Sequence, residues 1–293
     1  MTTIPAPDAP GTAGDDIADQ GARVPHADRR GSALHDVWVI AKRGLIHMQR
    51  QPEALSDATI QPIMFVLLFA YVFGGAINPP GDVPYREFLM GGIFAQTIVF
   101  TAFGVAIGIA NDRKNNAIDR FRSLPIANGA VLGGHAVANM IKATLPIILM
   151  SICGYIVGWR INGGIVDAVA GYALLLAFAF AMIWVGVLLG SVVATPEGVT
   201  GIAFAALFPI TFVASTFVPL SSMPSALRTV AQWNPVTTLS DALRLHFGNV
   251  DPAIGIAGPG PFSPAVYTWL WIVGIIAFCA PMAIRAYRRS TTD

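Results

Sequence analysis

The stretch AVAGYALLLAFAFAMIWVGVLLGSVVATP, from Ala168 to Pro196, contains no Asp, Glu, Lys or Arg. An α-helix of about 24 residues rises about 36 Å, whereas the hydrocarbon core of a bilayer is about 30 Å thick. This stretch is therefore long and apolar enough to cross a membrane. Four other stretches also lack charged residues: Ala58 to Gly81, Phe88 to Asn111, Gly198 to Leu227 and Pro252 to Ile284.

The composition of the whole chain is that of a membrane protein. Of its 293 residues, 54% are hydrophobic and only 12% are charged, whereas about 25% of the residues are charged in an ordinary soluble domain. The formal net charge is +1, which gives no indication of nucleic-acid binding, since that requires clustered cations on one face. We therefore expect an all-α polytopic membrane protein surrounded by lipid, with no nucleic-acid partner.

Apolar runs and chain breaks predict six transmembrane helices within one domain, residues 33–289. The third begins near Asn139, with the ammonium of Lys142 expected at the membrane interface, and Thr195-Pro196-Glu197 is typical of a helix start. We expect the tail 1–32, rich in Pro, Ala, Gly and Asp, to be disordered, and residues 290–293 form a second tail. The predicted spans are about 58–77, 88–110, 139–159, 168–193, 197–218 and 265–284.

A helix-like pattern also precedes the first span. From Ala33 to Arg50 apolar residues recur at helical spacing, with Trp38 among them, while Lys42 and Arg43 lie elsewhere on the helix. This pattern predicts an amphipathic helix at the membrane interface, with a tryptophan anchor and a cationic edge.

The distribution of cations predicts the orientation. With six spans both termini lie on one side, and that side carries most of the Lys and Arg, which favour the cytoplasm. We therefore expect both termini to be cytoplasmic and the stretch after the fifth span to be extracytoplasmic. The cations on the predicted inner side are Arg23, Arg29, Arg30, Lys42, Arg43, Arg50, Arg113, Lys114, Arg120, Arg122, Arg285, Arg288 and Arg289, and those on the outer side are Arg86, Arg160, Arg228 and Arg244.

Several kinds of chemistry have no sequence pattern to support them. The three lysines are not part of a Gly-x-x-x-x-Gly-Lys-Ser/Thr phosphate loop, so the chain lacks that means of binding ATP. No acidic residue lies deep in a predicted span, where proton-coupled transporters commonly place one. The scattered histidines match neither a metal motif nor a hydrolase motif. We therefore predict no catalytic residues and no metal site.

The loop after the second span has two interpretations. Its sequence, DRKNNAIDRFRSLPI from Asp112 to Ile126, can be a solvated basic loop that only fixes orientation. Alternatively, Ile118, Phe121 and Leu124 or Arg122 fall on one face of a short helix, which would be a docking surface with an exposed aromatic ring.

The stretch after the fifth span is also open to two interpretations. Pro219 to Phe247 can be an ordinary extracytoplasmic loop, in which Asp241 and Arg244 form a pair worth a few tenths of a kcal/mol. Otherwise two half-helices enter the membrane, which is possible where irregular backbone is buried in protein. The sequence slightly favours the ordinary loop.

The order of these features resembles the ABC-2 type exporter permeases. The likeness covers about Ala33 to Arg289 and includes Arg122-Ser123-Leu124-Pro125-Ile126, Trp233-Asn234-Pro235 and Asp241-Ala242-Leu243-Arg244. Within that family, DRFRSLP from Asp119 to Pro125, with Gly133-Gly134 after it, is most similar to the daunorubicin-resistance branch. Asn115 and Asn116 stand where related loops commonly carry Glu and Gly.

The resemblance implies a transporter subunit, not an enzyme, in the plasma (inner) membrane. It implies a homodimer of permeases working with two copies of a cytoplasmic ABC ATPase, which would bind the ATP and Mg; no cofactor is expected in this chain. The helix that couples to the ATPase would contain Asp112, Arg113, Lys114, Ile118, Asp119, Arg120, Phe121, Arg122, Leu124 and Pro125, beside the interfacial helix. The re-entrant half-helices would be Pro224 to Trp233 and Thr238 to Phe247, with Asn234, Pro235, Asp241 and Arg244.

Sparse polar residues in the spans suggest a largely apolar path for a hydrophobic or amphipathic cargo such as a drug, an antibiotic or a lipid. Taken singly, such residues usually form hydrogen bonds within the helix bundle. Export of a polysaccharide or glycolipid is an alternative that would favour more aromatic and polar residues along the path. A polytopic membrane enzyme is a further alternative, for which no catalytic cluster exists. The candidate path residues are Gln96, Thr97, Thr101, Thr211, Ser215 and Thr216.

Overall fold

The computed structural model describes residues 52–79, 81, 83–114, 128–193, 195–251 and 259–289. The regular secondary structure of these residues is entirely helical, which confirms the predicted all-α class. The elements are α1 (Pro52–Leu67) with a π-helical continuation (Leu68–Phe73), α2 (Tyr85–Lys114), α3 (Asn128–Val157), α4 (Ile165–Val192), α5 (Pro196–Phe212), a 3-10 turn (Leu220–Ser222), α6 (Ser225–Gln232), α7 (Pro235–His246) and α8 (Pro264–Arg289).

Four helical stretches are long and apolar enough to cross a membrane. They lie in α2, α3, α4 and α8, and correspond to the second, third, fourth and sixth predicted spans. The apolar helices Ile60–Phe73 and Pro196–Phe212 are shorter. Six complete spans therefore remain a prediction. The interfacial helix around Trp38, Lys42 and Arg43, the tails 1–32 and 290–293 and the segment 115–127 lie outside the described residues.

Several helix boundaries differ from the predicted spans. Helix α2 continues to Lys114 instead of ending near residue 110, and α3 begins at Asn128 instead of near residue 139. A helix can extend beyond the apolar part of its sequence because its backbone hydrogen bonds do not depend on hydropathy. In contrast, α5 ends at Phe212 instead of continuing to residue 218. The uncharged residues after Phe212 leave the helix and enter the core as irregular chain.

The start of α5 is as predicted. Pro196 occupies the first turn, and the Gly198 backbone N–H donates to the Thr195 hydroxyl at 3.1 Å. This bond satisfies one of the backbone donors that a helix start leaves without a partner.

Helix α2 lies at the centre of the fold, and its residues from Phe88 to Val99 are buried on every side. Its most extensive contact is with α4. Gly186 and Gly190, one turn apart on α4, face the backbone of α2, and a Cβ atom at Gly190 would lie 2.5 Å from the Ala106 carbonyl oxygen. Small residues allow membrane helices to approach this closely. The two helices therefore pack backbone to backbone.

Contacts between helices that are distant in sequence place α7 beside the first half of α2. Helix α7 packs against α2, α8 and α4, while α8 packs mainly against α4 and α7. Trp269, Leu270 and Val273 of α8 are exposed, as expected of a helix that faces lipid. Helix α7, too short to cross a bilayer by itself, is thus held inside the helix bundle.

Candidate functional site

Helices α6 and α7 occupy the stretch that the sequence allowed to be either a loop or two half-helices. The structure forms both helices, at Ser225–Gln232 and Pro235–His246. The break between them is Trp233-Asn234-Pro235. Asn234 accepts a hydrogen bond from the Val236 N–H at 2.9 Å and donates to the Ile210 carbonyl at 2.6 Å. The motif therefore caps the start of α7 and fastens it to the end of α5.

Arg244 is the fully buried centre of this region. Its Nε donates to the Phe88 carbonyl at 2.8 Å, and its Nη2 donates to the carbonyls of Ser215 at 2.7 Å and Thr216 at 3.3 Å. Its Nη1 donates to Asp241 at 2.5 Å and to the Ser215 hydroxyl at 3.0 Å. A guanidinium has five N–H donors, and these contacts engage them all. Arg244 thus joins α7, the start of α2 and the chain after α5.

The carboxylate of Asp241 completes this cluster, which we call the arginine anchor: Phe88, Ser215, Thr216, Asp241 and Arg244. Asp241 also accepts a hydrogen bond from the Ser215 hydroxyl at 2.9 Å. The prediction of a weak, exposed pair from the i,i+3 spacing is wrong, because both side chains are buried and both contact the Ser215 hydroxyl. Removal of one charge from such a pair leaves the other unpaired.

Aromatic and glycine residues shape the α2 side of the arginine anchor. The guanidinium carbon of Arg244 lies 3.5 Å from the centre of the Phe88 ring, a cation–π contact that is strongest away from water. A Cβ atom at Gly91 would lie 2.8 Å from Arg244 Cγ. On the next residue, Gly92, a Cβ atom would meet the Thr216 carbonyl. The two glycines therefore leave the space that the arginine and the chain after α5 occupy.

A second group of contacts closes the loop between α3 and α4 over the end of α7. The Trp159 indole donates to Asn249 Oδ1 at 2.7 Å, and Asn249 Nδ2 donates to the Arg160 carbonyl at 2.7 Å. The backbone N–H groups of Asn162 and Gly163 both donate to the Phe247 carbonyl. Gly248 adopts a φ of 66°, a conformation that favours glycine. The end of α7 is thereby tied to α3 and α4.

The opposite end of α2 carries the described part of the predicted coupling segment. Arg113 donates to the Ser191 carbonyl at 2.7 Å and to the Val193 carbonyl at 3.5 Å. Lys114 lies 3.6 Å from Glu197, and both side chains are largely exposed. The remaining coupling residues, Ile118, Asp119, Arg120, Phe121, Arg122, Leu124 and Pro125, lie outside the described residues, so their role stays a prediction.

The candidate path residues lie inside the protomer. All of them except Thr101 are buried. Thr97, Thr101 and Thr211 donate to carbonyls of their own helices, and Ser215 belongs to the arginine anchor. Within the described chain, Gln96 Nε2 and Thr216 Oγ1 are buried polar atoms without a hydrogen-bond partner. A role of these residues in transport remains a prediction.

Helix α6 is more loosely attached than α7. Arg228 donates to the carbonyls of Leu220, Ser221 and Met223, so it folds α6 back onto the turn before it. Trp233, the residue after α6, is exposed and contacts the Tyr267 ring edge to face. Pro224 precedes the first turn.

Several residues of this region have no clear signal in the sequence. Phe88 acts through its ring and its carbonyl, and Tyr85 donates its hydroxyl to the Phe217 carbonyl at 2.8 Å; neither belongs to a motif. Asn249 is likewise a lone polar residue. The one available signal was Arg244 itself, because it lies between Leu243 and Leu245 in a stretch with few charges, where an arginine requires buried partners.

Comparisons with known proteins give related sequences along most of the chain. The family model for ABC-2 type transporters matches residues 35–247. Daunorubicin resistance ABC transporter permease protein DrrB1 of Streptomyces coeruleorubidus is 27% identical over 274 residues, which are 93% of this chain and 91% of that protein. Probable doxorubicin resistance ABC transporter permease protein DrrC of Mycobacterium tuberculosis is 28% identical, covering 80% of this chain and 82% of that protein. Inner membrane transport permease YadH of Escherichia coli is 18% identical, covering 73% and 82%.

Proposed function

Because this chain belongs to the ABC-2 type transporter family, in which its named relatives are permeases, we propose that it exports a hydrophobic or amphipathic compound with energy from a separate ATPase. The observation that carries this proposal is the family match over residues 35–247. That range includes the basic segment after α2 and the arginine anchor. The proposed cargo is a drug, an antibiotic or a lipid, since two relatives are named for resistance to daunorubicin and doxorubicin.

The energy source is proposed to be two copies of a cytoplasmic ABC ATPase. The sequence has no phosphate loop of its own, so ATP and Mg would be bound by that partner. The segment from Asp112 to Pro125 would dock on the ATPase, with the interfacial helix beside it. Basic and aromatic side chains on one short helix suit such a docking surface. Two copies of the permease would form a homodimer, each copy on one ATPase.

The proposed topology has six spans and cytoplasmic termini. The four span-length helices supply four crossings. The apolar part of α1 and its π-helical continuation, Ile60–Phe73, rises only about 21 Å, and the uncharged residues on either side, 58–59 and 74–77, would complete a crossing of a bilayer core of about 30 Å. Helix α5 rises only about 26 Å, and the irregular chain to residue 218 would complete its crossing, as is possible where such chain is buried in protein. The excess of cations at and after the end of α2 and in the last turns of α8 supports this orientation.

The geometry supports a mechanism in which α2 carries movement across the membrane. It is one uninterrupted helix from Tyr85 to Lys114, with the docking segment beginning in its last turn and the arginine anchor at its first turns. A displacement of the Lys114 end would therefore be felt by α7, which Arg244 fastens to Phe88. Separation of two permease copies would then open a path for cargo entering from the inner leaflet.

Two of the candidate path residues suit contact with cargo better than the others. Gln96 and Thr216 each keep a buried polar atom without a partner in the described chain, whereas the other hydroxyl groups are engaged. Buried polar groups are usually paired, so these two would gain a partner when the helices separate. We expect their substitution by apolar residues to change cargo preference before it changes ATP hydrolysis.

The test is transport by inside-out vesicles that contain this chain and its ATPase. Doxorubicin serves as the probe, because its fluorescence reports accumulation. We expect ATP-dependent accumulation that is absent when the ATPase cannot hydrolyse ATP. Hydrolysis by an intact complex without accumulation of doxorubicin or of a labelled lipid would overturn the proposed cargo class.

A further inference from the structure

We propose that Arg113 is a positioning residue that transmits movement of the docking segment to the turn between α4 and α5. The inference rests on the proposed function and adds α5 to α7 as a helix that receives the movement. Arg113 is the penultimate residue of α2 and lies at the start of the segment that would engage the ATPase. Its contacts reach across the bundle to residues about eighty positions later in the chain.

The contacts of Arg113 are directed at a helix end. Its Nη1 lies 2.7 Å from the Ser191 carbonyl oxygen and 3.5 Å from that of Val193, at the end of α4. The last carbonyls of a helix have no partner within the helix, and a cation is favourable there because of the helix dipole. A hydrogen bond from a charged donor is also stronger than one between neutral groups. The side chain therefore caps α4 from the neighbouring helix.

The packing beside this cap makes it a firm connection. Gly190 of α4 faces the Ala106 carbonyl of α2 so closely that a Cβ atom would lie 2.5 Å away. Two turns further along α2, the side chain of Arg113 binds the end of α4. Backbone contact and the charged cap thus keep the last turns of α2 and α4 in register. Movement of one end requires movement of the other.

The connection continues into α5. Thr195, directly after the turn, caps α5 through the Gly198 N–H, and the side chain of Glu197 lies 3.6 Å from that of Lys114. The Lys114 to Glu197 pair is exposed to solvent, where such pairs contribute little. Arg113 rather than Lys114 is therefore the stronger link between α2 and the turn that leads into α5. A displaced docking segment would move α5 from its first turn, at the same time as α2 moves α7.

A purely structural cap makes a different prediction from a transmitting residue. Loss of a cap would lower stability, ATP hydrolysis and transport together. Loss of a transmitting residue would leave hydrolysis intact and reduce the cargo moved for each ATP hydrolysed. The ratio of transport to hydrolysis therefore separates the two roles.

The experiment compares Arg113→Gln and Arg113→Lys with Glu197→Gln, each in the full chain reconstituted with its ATPase and doxorubicin. We expect Arg113→Gln to reduce the cargo moved per ATP by roughly threefold to tenfold, with Arg113→Lys between this variant and wild type. The matched control Glu197→Gln should remain within about twofold of wild type, because it removes only the exposed pair with Lys114 and lies outside the docking segment. An unchanged ratio in Arg113→Gln would overturn the inference.

A second measurement covers the case in which Arg113→Gln does not assemble. Lys114→Cys and Glu197→Cys place two thiols at exposed neighbouring positions, where a short thiol cross-linker can join them. We expect transport to continue after cross-linking, because the two segments move as one body. Loss of transport when the double-cysteine variant is cross-linked, compared with the same variant before cross-linking, would show that the segments must separate and would overturn the inference. Absence of transport by wild type would overturn the proposed function and this inference with it.

Discussion

Arg244 of α7 lies over the ring of Phe88 in α2, with its guanidinium carbon 3.5 Å from the ring centre, and donates a hydrogen bond to the carbonyl of the same residue at 2.8 Å. One side chain thereby holds both the ring and the backbone of a residue 156 positions earlier in the chain. An arginine buried in this way is costly unless every donor is satisfied, and its five donors are. Its energetic and mechanical role can be tested directly.

Removal of the Arg244 charge should destabilise the permease strongly. In Arg244→Met the carboxylate of Asp241 stays buried without its cation, which typically costs about 3 to 5 kcal/mol. The measurement is the unfolding midpoint of the purified permease in detergent. The double variant Arg244→Met with Asp241→Leu should recover part of the loss, because no charge is left unpaired. A double variant no more stable than Arg244→Met would contradict the paired role of the two residues.

The hydroxyl of Tyr85 should make a smaller contribution. Tyr85→Phe removes the donor to the buried Phe217 carbonyl, and leaving such an acceptor unpaired costs about 1 to 3 kcal/mol. Tyr71→Phe is the matched control, since Tyr71 is 69% exposed. We expect a lower unfolding midpoint for Tyr85→Phe and no change for Tyr71→Phe. Equal midpoints for the two variants would mean that the Phe217 carbonyl is satisfied in another way.

A methyl group at Gly92 should separate α2 from the chain after α5. A Cβ atom there would meet the Thr216 carbonyl, a backbone atom that cannot move alone, whereas a Cβ atom at Gly104 would meet nothing within 4 Å. We therefore expect Gly92→Ala to lower the unfolding midpoint and the yield of folded protein. Gly104→Ala should preserve or raise the midpoint, because Ala exceeds Gly in helix propensity by about 1 kcal/mol. The same response from both variants would contradict the close packing at Gly92.

The ring of Phe121 should be required for association with the ATPase. Phe121→Asp places a charge on the proposed docking face, while Phe121→Leu keeps an apolar side chain and serves as the control. We expect the ATPase to co-purify with wild type and with Phe121→Leu and to be lost from Phe121→Asp. Undiminished co-purification with Phe121→Asp would place the docking surface elsewhere.

The sequence predicted the helical class and the approximate position of each apolar helix, because a helix that crosses a bilayer requires a long run of residues without charge. It also predicted the start of α5 at Thr195 and Pro196, since capping is a local property. The end of α5 could not be predicted in this way. The residues from Val213 to Val218 are as apolar as a helix interior, but they leave the helix because the carbonyls of Ser215 and Thr216 bind Arg244.

The burial of the arginine anchor also could not be predicted from the sequence. The spacing of Asp241 and Arg244 is identical in an exposed helix and in a buried one, so the pattern could not reveal their burial. Phe88 and Ser215, the partners around which the pair is buried, are distant from it in sequence and belong to no motif. Contacts of this kind depend on how α2, α5 and α7 pack together. They therefore appear only once the helices are assembled.

The measurement that tests the account most directly is ATP hydrolysis by three preparations: this chain alone, the ATPase alone and the complex of the two. We predict no hydrolysis by this chain alone, hydrolysis by the complex that responds to cargo, and, with Phe121→Asp, hydrolysis that equals that of the ATPase alone and no longer responds to cargo. Hydrolysis of a nucleotide by the purified chain without a partner would contradict the account, because its energy source would then lie within this polypeptide.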